Sequence, residues 1–543
     1  VSPGPEERER ALFDFIARLV AEVEPLQRRH NLAYWQASVT GDAVAEEEAA
    51  RLDTALRTVL SRPEAYAFLR GVLADGGVDD PLLARQLALL HDAHRAQQLE
   101  PAAIERQVRL EKRLEGRCNA YRAELDGRRV SDNDLRRVLV ASDDSGACRR
   151  AWEAAKQIGA EVAPELLELV RLRNESARAL GFANHYSMRL ELDELDEAEL
   201  FALLDDLERG TAPLFADYKR GLDARLAARF RVAPAELRPW HYGDPFFQEA
   251  PLPDLDLDRH FAARPLEEML AASFGAIGLD VRDLLARADL YERPGKSQHA
   301  FCLCVDRGED IRVLCNLRPS EFWMSTLLHE FGHAVYDRHV SPSLPFFLRE
   351  PSHVLTTEAS AMLFGRLTKD AAWLERHAGV PPAEARAVAA ACARAARDRL
   401  LVQTRWMLVM CHMERALYRD PERDLDTLWW DLVERYQEVR RPDGRRAPDW
   451  ASKVHFSTAP VYYHNYMLGE MMASQLQAAL RRELGNGPGA AARHVASPRV
   501  GEFLVERLYR DGRAYDWRET LRRATGGALG AEAFVAALAA AGA

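Results

Sequence analysis

The chain has 543 residues, 48% of them hydrophobic and 29% charged, and a formal net charge of −11. This is the balance of a globular protein with a large core. The acidic excess argues against nucleic acid as a partner, since phosphate binding needs a basic surface, and no stretch approaches the roughly 18 apolar residues of a membrane span.

Helical periodicity dominates in chain order. Leu12, Phe15, Ile16, Leu19 and Val23 mark a first amphipathic helix. Charges break this stretch, so it is not a signal-peptide core. The pattern continues over Glu46 to Leu60, Pro63 to Leu73, Leu82 to Leu99, Ile104 to Leu125 and Val162 to Leu180. Another helix spans Asp196 to Phe230, where Asp196 and Glu199 have the spacing of a helix-start box. Pro239, Gly243, Pro245, Pro251 and Pro253 then break any helix, and Pro239 to Asp258 reads as an irregular crossing loop. The one clear β signal is Gln298 to Leu317: two alternating runs around the turn Arg307-Gly308-Glu309-Asp310, a hairpin. A helix is expected after Pro319-Ser320, and another from Glu358, capped by Thr356 or Thr357. The remainder is mostly helical, including Pro382 to Leu417 and Tyr466 to Leu484.

The helix after Ser320 carries His329-Glu330-Phe331-Gly332-His333. In this H-E-x-x-H run the two imidazoles fall on one helical face at i and i+4, where they can hold one Zn²⁺. The carboxylate between them is placed to take a proton from the activated water. A catalytic zinc needs a third protein ligand. Glu358, 25 residues beyond His333 (358 − 333), is the preferred candidate, with His339 and His353 as weaker rivals. Asp337 is nearest in sequence but too far along the same helix. An oxyanion also needs donors. Tyr463 and Tyr466, three apart, with His455 upstream, are candidates; taken alone, such a cluster reads as core packing.

Together these residues resemble the angiotensin-converting-enzyme family of zinc peptidyl dipeptidases, within the wider thimet-oligopeptidase-like group. The likeness runs from about Trp152 to the C-terminus and more faintly before it. His299-Ala300 stands 30 residues before His329 (329 − 299), as the family's His-Ala strand does. Lys453-Val454-His455 matches its Lys-x-His element, and the chain has only six lysines. Gly243-Asp244 with Gln248, Trp429-Trp430, Tyr436-Gln437 and the Tyr463/Tyr466 pair match further landmarks. The resemblance implies that His299 and Ala300 bind the substrate backbone by β-augmentation. It implies that Gln248, Lys453 and Tyr463 grip a free C-terminal carboxylate, and that Tyr466 and His455 stabilise the transition state.

There are departures. Asn465 and Val433 replace two chloride-binding arginines of the animal enzymes, so chloride dependence is not expected. Met362 replaces the Asp that orients a zinc His, so another acceptor must do so. The spacing from the second His to Glu358, and the step from His455 to Tyr463, are each one residue longer than in the animal enzymes. Gln298 stands where the family has a disulfide Cys. The seven Cys read as free thiols, with one bridge between Cys304 and Cys315 left open.

The expectation is a mainly α protein: a two-lobed helical ellipsoid with a deep central channel and a small antiparallel hairpin near the zinc site. Residues 1–543 form a single catalytic unit, with 1–150 a helical lid and 151–543 carrying the site. One Zn²⁺ per chain is held by His329, His333 and Glu358, and Glu330 is the base. Short peptides with a free C-terminus are the substrates, and the chain is a monomer or weak dimer. A thimet-like oligoendopeptidase and a catalytically silent peptide-binding scaffold are the alternatives. The start at Val1 leaves the compartment open: periplasmic or secreted if a leader was removed, cytoplasmic otherwise.

Overall fold

The structure, a computed structural model, describes residues 4–250, 257–262, 264–485 and 489–541. Helix accounts for 71% of the chain. Among the described residues the strands form two antiparallel two-stranded hairpins. The protein is mainly α, as its periodicity implies. Two compact units can be distinguished, each built from three stretches of chain.

The first unit comprises Val1–Gln98, Leu255–Ala393 and Leu468–Phe534. Its opening helix, Pro5–Thr40, buries Leu12, Ile16, Leu19 and Val23. These pack with Leu69 and Val72 of the helix Pro63–Ala74 and with Leu87 and Leu90 of the helix Pro81–Ala96. The i, i+3, i+4, i+7 spacing that suggested a helix is thus the spacing that makes this core. The far end of the opening helix supports the hairpin Phe301–Cys304/Ile311–Leu314. Trp35 and Val39 pack against Leu314, the Trp35 indole meets Phe301 edge-on at 6.0 Å, and Asn31 Nδ2 donates to the carbonyls of Cys304 and Val305.

The second unit comprises Leu99–Asp254, Arg394–Met467 and Val535–Ala543. Its backbone elements are the helices Ser145–Ala179, Glu197–Phe230 and Leu425–Gln437. Asp196 caps the second of these by accepting from the Glu199 N–H at 2.8 Å. Gly159 sits midway along the first because a Cβ there would collide with the Pro448 carbonyl. The absence of a side chain lets the stretch leading to Lys453 lie directly on the helix.

Three local expectations need correction. The helix expected to reach Leu125 ends at Ala120. A second hairpin, Ala123–Leu125/Arg128–Val130, follows, turned by Asp126 and Gly127 at φ +51° and +76°. Paired left-handed residues are what a two-residue hairpin turn requires, and Asp-Gly is a sequence that supplies them. The helix expected from Glu358 begins earlier, at Val354, with His353 as its cap, so Glu358 lies in its second turn. Among its described residues the crossing loop holds one 3₁₀ turn, Pro239–His241, and ends where a second, Asp258–His260, begins; Pro251 and Pro253 lie outside the described residues. All seven cysteines are free thiols. The hairpin register sets Cys304 opposite Ile311, not Cys315.

Candidate active site

The first unit brings His329, His333 and Glu358 together. Ser320 caps the helix Glu321–His339 by accepting from the Trp323 N–H. Both motif histidines fall on the face turned toward the helix Val354–Gly365, their rings 5.0 Å apart. Glu358 Oε2 lies 3.7 Å from His329 Nε2 and 4.0 Å from His333 Nε2. One donor atom from each of the three residues lies within 4.8 Å of the others, and among the described residues no other group of three His, Cys, Asp or Glu does so.

Gly332 explains how the two helices come this close. A Cβ at that position would stand 2.7 Å from the Ala361 Cα, nearer than any side chain tolerates. Ser360 Oγ donates to the Gly332 carbonyl at 3.0 Å, tying the helices at the same point. Thr357 Oγ1 lies 2.7 Å from His333 Nδ1. With Nδ1 donating to that hydroxyl, Nε2 keeps its lone pair for a metal. Thr357 is thus placed to orient the His333 ring. Met362 packs where Gly469 leaves room.

The electrostatics suit a divalent cation. Burial lowers His329 to about 4. Burial, then the neighbouring His329, lowers His333 to about 3. Both imidazoles are thus neutral near neutral pH, with a lone pair each to offer a metal. Glu358 is raised by burial and by Glu470. Glu330 is pushed up to about 8 by burial and then by Glu358, against a backbone hydrogen bond from Cys302. Two neutral nitrogens and a desolvated carboxylate converging on one point make the donor set of a catalytic zinc. The three residues fit that ion.

The rivals are engaged elsewhere. Asp337 is half-buried and raised to about 7 by desolvation and then Glu350, facing Cys302 Sγ. His339 Nδ1 meets the Val335 carbonyl, and His353 Nδ1 accepts from the Leu355 N–H. His299 and Ala300 precede the strand Phe301–Cys304 rather than lying within it. Their lead-in is anchored by Lys296, whose Nζ donates to the carbonyls of Asp289, Tyr291 and Cys315.

The second unit brings together Gln248, Lys453, Tyr463, His455 and Tyr466. Lys453 Nζ donates to Gln248 Oε1 at 2.7 Å. The ammonium faces the rings of Phe246, Trp406 and Tyr463 at 5.1, 5.3 and 5.9 Å, an aromatic enclosure that favours a cation. Burial nevertheless pushes Lys453 down to about 8, with Asp244 and Glu249 opposing. The His455 ring lies 4.9 Å from that of Tyr463. It is lowered to about 4 by burial, then by Lys453. Tyr463 immediately precedes the helix His464–Leu484, and its ring is 5.8 Å from that of Tyr466, which stands a turn further on.

Apart from Tyr466, these side chains sit on loops or at helix ends, and buried polar residues hold the loops. Asp244 accepts from the N–H groups of Phe246, Gln248 and Glu249. Gln437 donates to the carbonyls of Phe246 and Phe247 at 3.0 and 2.8 Å, and the Trp152 indole donates to that of Pro245. Before Lys453, Asp449 accepts from Trp430 and from Arg445. The sequence reading noted Asp244, Gln437 and Trp430 as landmarks but gave them no work. Asp449 it missed altogether. A buried acid in a mostly helical chain leaves no periodic trace.

Comparison with known proteins adds two partial matches. A family model described as angiotensin-converting enzyme matches residues 6–231. One described as carboxypeptidase Taq (M32) metallopeptidase matches residues 407–541. Each covers less than half of the chain, and the H-E-x-x-H helix and Glu358 fall between them. No curated protein matches the chain. The likeness to angiotensin-converting enzyme is therefore carried by the N-terminal part, including residues before Trp152. The stretch holding Lys453, His455, Tyr463 and Tyr466 is similar to the carboxypeptidase family instead. Both matched families are zinc metallopeptidases, and the two matches together support a zinc metallopeptidase.

Proposed function

We propose that this metallopeptidase is a peptidyl dipeptidase, removing two residues at a time from the C-terminus of short peptides. His329, His333 and Glu358 hold one zinc ion. When bound, zinc supplies Lewis acidity, polarising the scissile carbonyl and making water acidic enough to attack. Glu330 accepts a proton from the attacking water and returns it to the leaving nitrogen. Tyr466 and His455 donate to the developing oxyanion, and His299 and Ala300 offer backbone and imidazole groups to the peptide.

The observation that carries the exopeptidase reading is Lys453. An ammonium in an aromatic enclosure, 2.7 Å from a Gln248 oxygen and beside Tyr463, suits a free carboxylate, which can accept from all three side chains. Purely internal cleavage does not call for such a cation. The similarity of this same stretch to a carboxypeptidase family supports cleavage from the C-terminal end. It also keeps a second reading in view, the release of single residues.

Mass spectrometry of products from a short free-acid peptide and its C-terminal amide separates these readings. Stepwise loss of dipeptides from the acid, little from the amide, and none after chelation is the expected outcome. Loss of single residues selects the carboxypeptidase reading. Equal cutting of the amide selects an endopeptidase.

A further inference from the structure

We propose that Glu414 is a positioning residue that holds the segment carrying His455, Tyr463 and Tyr466 through the strained backbone of Val461. The inference rests on the roles given above to those three side chains.

Val461 has φ +58°. That left-handed conformation is unfavourable for any residue with a Cβ and most of all for a β-branched one. It is also buried, with 2% of its surface exposed. Such a residue persists only where its surroundings impose the conformation. Its N–H donates to Glu414 Oε1 at 2.8 Å, and Glu414 is itself 3% exposed on the long helix Pro382–Arg419. Burial pushes its carboxyl up to about 8, opposed by the Val461 N–H and then Arg173, and a polar group this deep is costly without a hydrogen-bond partner. Val461 lies two residues before Tyr463, so its turn sets the direction in which the chain enters the helix His464–Leu484.

The other end of the segment is fixed separately. Arg173 donates from Nη1 to the Phe456 carbonyl at 3.0 Å and from Nη2 to that of Ser457 at 2.6 Å. The same guanidinium bonds the Tyr418 hydroxyl, four residues beyond Glu414 on its helix, and Glu111. His455 is thus held from its C-terminal side by Arg173, and Tyr463 from its N-terminal side by Glu414. Between the two anchors the chain forms one helical turn, His455–Thr458, and then the left-handed residue. Neither anchor belongs to the carboxylate pocket around Lys453. Their effect on catalysis would come through placement alone.

The test uses the full-length zinc-loaded protein and a free-acid peptide. Glu414→Leu removes the acceptor; KM should rise about 10-fold and kcat fall about 10-fold, with zinc content unchanged. A role confined to stability would lower the active fraction and leave KM where it was. Glu414→Gln keeps an oxygen that accepts from the Val461 N–H and should stay within about 3-fold of the parent. Glycine adopts left-handed backbone freely, so Val461→Gly added to Glu414→Leu should restore most of the activity. An unchanged KM in folded Glu414→Leu overturns the proposal. So does a Gln variant as impaired as the Leu variant, or a double variant that is inactive or insoluble. Tyr466→Phe in the same assay tests the underlying reading. If it leaves kcat untouched, the role given to Tyr466 fails whatever Glu414 does.

Discussion

The two clusters of functional side chains are built in opposite ways. His329, His333 and Glu358 stand on two regular helices. Their convergence follows from an i, i+4 repeat, one interhelical contact and a glycine that permits it. Gln248, Lys453, His455 and Tyr463 stand on loops or at helix ends, and each loop is held by buried polar groups from elsewhere in its unit. The first kind of site is a product of geometry, and single changes there should act as switches. The second is a product of tethers, and its changes should be graded.

The largest effect is expected from Glu330→Gln. It should lower kcat by about 1,000-fold or more while leaving metal content, read by elemental analysis, at one zinc per chain. Substantial retained turnover would remove Glu330 from the chemistry. Thr357→Val keeps the shape of the side chain and deletes the oxygen facing His333 Nδ1. Zinc affinity should weaken by about 10–100-fold in a competition titration against a chelator. An unchanged affinity would mean that the helix pair alone orients the imidazole.

On the tethered side the effects are smaller and depend on pH. Lys453 is pushed down to about 8 by burial. Its charged form grips a carboxylate below that pH and is lost above it. KM for a free-acid peptide should therefore climb as pH rises beyond about 8, toward the value of Lys453→Met, which should lie about 10-fold or more above the parent throughout. An amidated peptide should show no such climb, and a parallel one would place the titration elsewhere. The smallest effect expected is none: with Asn465 and Val433 at the positions of the two arginines, activity should be flat in NaCl against acetate at equal ionic strength. A steep rise with chloride would require another cationic group in that role.

The same contrast decides what could be read in advance. The helices of the first unit were legible because their apolar residues repeat at the period of the element they form, and Leu12 to Val23 lands in the core on that basis. The motif histidines were legible because their chemistry and their spacing coincide. Local signals also misled: periodicity carried a helix to Leu125, across the strand that precedes the Asp126-Gly127 turn, and the choice of a Thr cap over His353 started the Glu358 helix a turn late. The loop-borne residues could be named only through likeness to a known family, since no repeat connects Gln248 to Lys453. Their supports, Asp244, Asp449, Arg173 and Glu414, are ordinary letters in a row until folding buries them. Lysine was an exception. In a chain with six lysines against a total of 73 basic Lys and Arg residues, rarity was itself a signal, and four of the six are buried.

Gly332 has one further consequence. By allowing two backbones to touch, it lets three donor atoms stand within 4.8 Å of one another, the spacing of a small metal cage. Such a cage selects among ions by radius and by appetite for nitrogen. It suits small four-coordinate cations and offers little to calcium, which seeks six or more oxygens at longer reach. Widening the helix pair by a single methyl group at this position should erode that selectivity before it disturbs anything on the surface of the molecule.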